Sequence, residues 1–178
     1  MRSVALRERS HPHPQATART ASTDSRRAGP HMSAPEPVRV VDTRIETVER
    51  IQPNQANNNG NTHGGEVLRL MDELAAVAAM AVAGETCVTA HIGSVDFTSP
   101  LPVGHVAELS AYVYETGTSS LKIRVDVAGG DPRGRERTPT TAACFTMVAI
   151  DAAGTPVAVP PDAAATDRGE RLVADAPC

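Results

Sequence analysis

The chain has 178 residues and a formal net charge of -4, divided as +4 over residues 1–31 and -8 over residues 32–178. A chain of this length suits one domain, and a body that acidic argues against nucleic-acid binding, which needs clustered Lys and Arg to neutralise phosphate. Trp is absent and Phe and Tyr number two each, so a core must come from Val, Leu, Ile, Ala and Met, and no run approaches the ~20 apolar residues that span a bilayer.

Residues 1–36 are rich in Pro, Ser, Thr and Arg and poor in apolar side chains, the composition of a disordered tail. They lack the apolar segment of a secretory signal, and Met32 is a candidate for the true first residue. The cysteines Cys87, Cys144 and Cys178 show no paired spacing. An odd count without C-x-x-C reads as reduced thiols in a cytoplasmic protein, with Cys87 and Cys144 as small core residues.

Val38 to Ile51 alternates β-branched residues, with Val41, Thr43, Ile45 and Thr47 on one face, and predicts one long strand. Pro53 through His63 is loop, being built of Pro, Asn and Gly. Gly64 to Ala83 predicts a helix. Val67, Leu68, Met71, Leu74, Ala75, Ala78 and Val82 keep a 3.6-residue rhythm, Glu66, Arg69 and Glu73 form a polar stripe, and Gly84 supplies the stop. The second half of this helix is apolar on nearly every side, which predicts that it is wrapped rather than laid on a surface. Thr86–Phe97, His105–Glu115, Ser119–Val127 and Thr140–Ile150 are β-rich and separated by turn signals, so a meander-like antiparallel sheet is expected. Residues 161–178 read as a flexible tail, leaving an α+β domain over 37–160.

Within that order the run Asn57-Asn58-Asn59-Gly60-Asn61-Thr62-His63-Gly64-Gly65 feeds the helix start, and Asp72 follows on its second turn. A polar turn at a helix N-terminus leaves backbone N–H groups aimed outward. Donors of that kind beside a half-buried carboxylate can polarise a carbonyl and activate water. Asp72 has Leu68, Ala75 and Ala76 as row neighbours, a costly setting for a charge that is neither used nor paired. The residues alone leave two readings open, a general base or a structural acid paired with Arg69 or a backbone donor.

Asn61 by itself reads as a turn asparagine. Gly64 and Gly65 let the loop turn tightly and also bare the helix-start amides. His63, His91 and His105 fit no zinc spacing, so no metal is expected and His63 is read as bracing the loop. Gly117-Thr118-Ser119-Ser120 is a hairpin turn. Lys122, Arg124 and the loop arginines Arg133, Arg135 and Arg137 are the local positive charge of an otherwise acidic body, or ordinary solvated surface.

Six stretches in order carry a resemblance: Gly60–Gly65, Leu70-Met71-Asp72-Glu73, Asp96–Pro100 with Gly104, Gly117–Ser120, Ala143–Ala149, and Asp151-Ala152-Ala153-Gly154. Together they resemble the hotdog-fold acyl-CoA thioesterases, in the branch of YciA-type enzymes and cytosolic acyl-CoA hydrolases. The resemblance implies a long helix wrapped by an antiparallel sheet of about five strands. It also implies homodimers with active sites at the seam, often assembled as trimers of dimers. Asp72 would be general base or nucleophile, and Asn61 would hold the attacking water or thioester carbonyl against the acid of the opposite subunit. Gly64 and Gly65 would polarise the carbonyl, and His63 could touch substrate. Gly117, Thr118, Ser119 and Ser120 would line the pantetheine channel, with Lys122 and Arg124 meeting coenzyme A phosphates. The implied partner is an acyl-CoA substrate, with no cofactor, metal, nucleic acid or membrane. Gln55 departs from the pattern, since many relatives carry an acid there. The competing readings are a hotdog hydratase or dehydratase and a non-catalytic acyl-CoA sensor.

Overall fold

The computed structural model describes residues 38–163, with Arg171 and Ala174 beyond them. The expected N-terminal tail, residues 1–36, and most of the C-terminal one lie outside the described residues.

The stretch 38–51 is not one strand. Val38–Arg39 (β1) runs into a 3-10 turn over Val40–Thr43, and Ile45–Arg50 (β2) follows. The break has a local cause. The Thr43 hydroxyl donates to Val40 O at 2.8 Å and accepts from Val113 N at 2.9 Å, closing the turn against the sheet. Val40 is thereby buried with Tyr112, Tyr114 and Cys144 in a small cluster separate from the main core. β-Branched composition predicts extended backbone, but a side-chain hydroxyl offers the backbone an alternative partner, and here it wins.

The helix Gly64–Ala83 (α1) matches the expected bounds and ends on Gly84 in the left-handed region at φ 70°. Four strands follow: Thr86–Phe97 (β3), Val106–Thr116 (β4), Ser120–Gly130 (β5) and Thr138–Ile150 (β6). The sheet order is β2-β4-β5-β6-β3, every neighbour antiparallel. Only β4, β5 and β6 form a meander. β3 crosses to the far edge, which corrects the simple meander expected. The helix explains this: at 1.5 Å per residue it is about 30 Å long, whereas five strands span about 19 Å between outer axes. A chain that enters α1 beside β2 can therefore leave it beside β6. Past β6, the short strand Asp162–Ala163 (β7) pairs in parallel with β1.

Alternate residues of the inner strands face the helix: Leu109, Ala111 and Val113 on β4, Leu121, Ile123 and Val125 on β5, and Ala143, Phe145 and Met147 on β6. α1 presents Val67, Leu70, Met71, Leu74, Ala75, Ala78 and Ala79 to them. Three alanines on that face let helix and sheet approach closely, so few large side chains are needed to fill the layer. The opposite side of α1 is not enclosed within the chain, because Val77 and Met80 remain exposed. The sheet wraps one face of the helix, and the small residues serve that closely packed face.

Phe145, at 1 % exposure, is the largest fully buried side chain among the described residues. Replacing it with alanine removes a ring the alanine-lined layer cannot collapse around. Phe145→Ala is expected to cost about 3–5 kcal/mol, read as a lowered denaturant midpoint at unchanged slope.

Cys87 is a free thiol in this core, and burial pushes its pKa up, away from reactivity. Cys144 is disulfide-bonded, against the expectation of three reduced thiols.

Candidate active site

The loop ahead of α1 is held by its own amides. Gln55 Oε1 accepts from Gln52 N at 2.7 Å, and His63 N donates to Gln55 O at 2.9 Å. Gln55 thus supplies with an amide oxygen the acceptor that a carboxylate would supply. Asn57 Oδ1 accepts from Asn59 N at 2.9 Å and Asn61 N at 3.2 Å, and Asn57 N donates to Asn61 O at 2.7 Å. With its oxygen spent on the turn, the Asn57 side chain has only its NH2 group left to offer. Thr62 ties the far side of the loop to Leu101 O through both its hydroxyl and its N–H, at 2.7 and 2.8 Å.

His63 caps α1 without a side-chain bond, and its carbonyl accepts from Glu66 N and Val67 N. Among the described residues, no acceptor takes the N–H of Gly64 or Gly65. These two donors sit at the positive end of the helix dipole. The two glycines differ in why they are glycine. A Cβ on Gly64 would stand 3.2 Å from Phe97 Cζ, whereas a Cβ on Gly65 would meet nothing within 4 Å. A cleft of about 320 Å³ opens at this point, lined by Asn57, Asn61, Gly64, Phe97, Pro100 and Thr141 among others.

Asp72 lies eight residues along α1 from Gly64, about 12 Å by helix rise, and does not line that cleft. Asp72 as a residue is partly exposed, and its carboxylate makes a contact at the surface. Thr89 Oγ1, on β3, donates to Asp72 Oδ1 at 2.6 Å. The structural alternative of pairing with Arg69 is excluded, because Arg69 is taken by Glu66 at 3.1 Å and Glu73 at 2.6 Å. Thr89 was missed by sequence reasoning, since no periodicity tells a helix acid which strand it will meet.

Two other properties of β3 matter. It is an edge strand 12 residues long, with register shifts between Thr89 and His91 and between Ile92 and Val95. Among the described residues, nothing pairs with its outer side. A long unpaired edge is a ready template for another chain.

The Gly117–Ser120 turn joins β4 to β5 at the end of the sheet opposite Phe97 and the helix start. Gly117 N donates to Ser120 O, Val159 N to Thr118 O and Ala149 N to Ser119 O. Lys122 pairs with Glu115 at 2.8 Å. Arg124 pairs with Asp126 at 2.9 Å, in a groove on the sheet's outer face that also holds Glu46 and Glu108. One protomer therefore brings Asn61, Gly64 and Gly65 together, with His63 beside them. It keeps Asp72 about two helix turns away and Gly117, Thr118, Ser119, Ser120, Lys122 and Arg124 at a distance. Among the described residues no group of His, Cys, Asp or Glu is placed to hold a metal, and no helix is long and apolar enough to cross a membrane.

A family model described as the thioesterase superfamily matches residues 59–134, from the asparagine turn to the β5–β6 loop. Acyl-CoA thioester hydrolase YciA of Escherichia coli is 33% identical over 112 residues, covering 61% of this chain and 84% of the relative. A solved apo-hexameric acyl-CoA thioesterase superposes at TM-score 0.74 and 38% identity, over 80% of this chain and 91% of the other. The Staphylococcus aureus acyl-CoA hydrolase, solved with butyryl coenzyme A and coenzyme A, gives TM-score 0.72 at 28% identity, over 79% and 85%. Alanine variants of that hydrolase have been solved at an asparagine, an aspartate and a threonine, the asparagine 15 residues before the aspartate and the threonine 17 after it.

Proposed function

The chain belongs to the thioesterase superfamily, and from that membership we propose that it is an acyl-CoA thioesterase, hydrolysing acyl-CoA to a carboxylic acid and free coenzyme A. The observation that carries the mechanism is the Asp72 carboxylate. One of its oxygens is fixed by Thr89 on the free sheet edge, and among the described residues the other is unpaired.

Asn57, Asp72 and Thr89 stand at the intervals of the three residues replaced in the Staphylococcus enzyme, 15 and 17 residues apart. We assign the positioning of substrate or water to Asn57 in place of Asn61, whose backbone the Asn57 side chain holds in place.

Asp72 acts across a dimer seam. β3 pairs with the partner's β3 in antiparallel fashion, joining two five-stranded sheets. A two-fold axis through the middle of β3 sets Thr89 and Asp72 of one protomer beside the partner's Phe97 and Gly64. The same axis exchanges the ends of the sheet, so the Gly117–Ser120 turn and Lys122 come to the end where the partner's helix start lies, fit to line the pantetheine arm. Further pairing into a hexamer would follow the solved hexameric relative.

In the reaction, the free Asp72 oxygen takes a proton from water held by the partner's Asn57. The hydroxide adds to the thioester carbonyl, and the N–H groups of the partner's Gly64 and Gly65 receive the developing oxyanion. Collapse of the tetrahedral species breaks the C–S bond, and the coenzyme A thiolate takes the proton back from Asp72. No cofactor enters, and the cytoplasm is the expected place of work.

A thiol-release assay over acetyl, medium-chain and long-chain coenzyme A esters tests the reading. Free thiol is expected from at least one class. Tight acyl-CoA binding with no thiol from any of them would make the protein a sensor instead.

A further inference from the structure

Of the aromatic side chains, Phe145, Tyr112 and Tyr114 are 1 %, 3 % and 8 % exposed, but Phe97 is 54 % exposed. Leaving a ring in water forgoes the burial that the other three obtain, and although one exposed apolar side chain is ordinary on a surface, the place of this one is not. Its place narrows the choice. Phe97 closes β3 and lies against the first turn of α1, where its ring edge fills the space a Gly64 side chain would take, at 3.2 Å. It lines the same cleft as Asn57 and Asn61. The other exposed large apolar residues, Val48, Val77, Met80 and Val88, do not line that cleft.

An apolar ring edge beside two unpaired N–H donors matches a group that is greasy along its chain and carries one strong acceptor. A thioester fits: the carbonyl oxygen goes to the amides, and the sulfur with its neighbouring methylenes goes to the ring. Sulfur beside an aromatic edge is a favourable contact, and covering the carbonyl keeps water from weakening the amide hydrogen bonds. We propose that Phe97 is the platform on which the thioester sulfur and its adjacent methylenes rest. This inference depends on the hydrolase reading above. It also bears on Gly64, where an added Cβ would stand 3.2 Å from Phe97 Cζ and make the ring give way by a few tenths of an ångström.

Phe97 contacts substrate before and during the reaction, so its loss removes binding shared by ground and transition states. The test is steady-state hydrolysis of the best acyl-CoA by wild type, Phe97→Ala and Phe97→Leu, with oligomer mass measured for each. For Phe97→Ala, KM is expected to rise about tenfold or more with kcat within about threefold, and Phe97→Leu to recover most of the loss. Oligomer mass should not change. An unchanged KM in Phe97→Ala would overturn the proposal. So would dissociation of the oligomer in either variant, because the ring would then be covered by the partner subunit and not by substrate. Phe97→Leu keeps an apolar side chain, so it remains informative if the alanine variant folds poorly. Absence of thiol release by wild type would strike the hydrolase reading itself, whereas wild-type turnover with an indifferent Phe97→Ala would strike only this inference.

Discussion

Asp72→Asn is expected to lower kcat by about two to four orders of magnitude while leaving coenzyme A affinity and oligomer mass unchanged. The substitution is close to isosteric. Asparagine can still accept the Thr89 hydroxyl through its side-chain oxygen, so the 2.6 Å contact that fixes the group on β3 survives. What disappears is the second oxygen as a proton acceptor, replaced by an NH2 that can only donate. Stopped-assay thiol release, coenzyme A binding and light scattering on the same preparation separate the effects. Full turnover in the variant would remove Asp72 from the mechanism. A fall in binding or in mass would show that the acid is structural.

The second large effect comes from mixing two damaged proteins. Asn57→Asp keeps an oxygen to accept the Asn59 and Asn61 amides, so the turn is retained. It loses the NH2 donor, and loss of one such donor typically costs about 10²–10³ in rate. Each variant alone should be nearly inactive. If Asp72 of one protomer works with Asn57 of the partner subunit, a mixed dimer holds one doubly damaged site and one intact site. Random exchange makes about half of all dimers mixed, so an equal mixture should recover about a quarter of wild-type activity. Co-expression followed by thiol-release assay reads it directly. If the mixture stays as inactive as its components, each site is built within one chain and the seam model fails. The roughly 12 Å of helix between Gly64 and Asp72 makes that outcome hard to reconcile with a thioester reached by both.

Much of the site was legible as chemistry and little of it as geometry. The turn asparagines, the paired glycines and the acid on an apolar helix row stand out because each residue type is costly where it occurs. Thr89 carries no such mark, being one threonine in a β-rich run, and became visible only when α1 was laid on β3. Asn57 and Asn61 are alike in sequence. Their different places in the turn, one side chain holding the other's backbone, required coordinates. The Gly117–Ser120 turn was expected to line the pantetheine channel, and one protomer holds it at the end of the sheet opposite the helix start.

The sequence by itself determined the elements: the helix from Gly64 to its stop at Gly84, the four long strands after it, and the apolar faces that join them. Periodicity and glycine placement are local properties, and local physics suffices to read them. The tertiary structure alone decided that β3 would cross beneath the helix to become a free edge and that Asp72 would meet Thr89 there. It likewise decided that Phe97 would stand uncovered against Gly64. Those outcomes depend on helix length set against sheet width and on which edge is left unpaired, quantities no window along the chain contains.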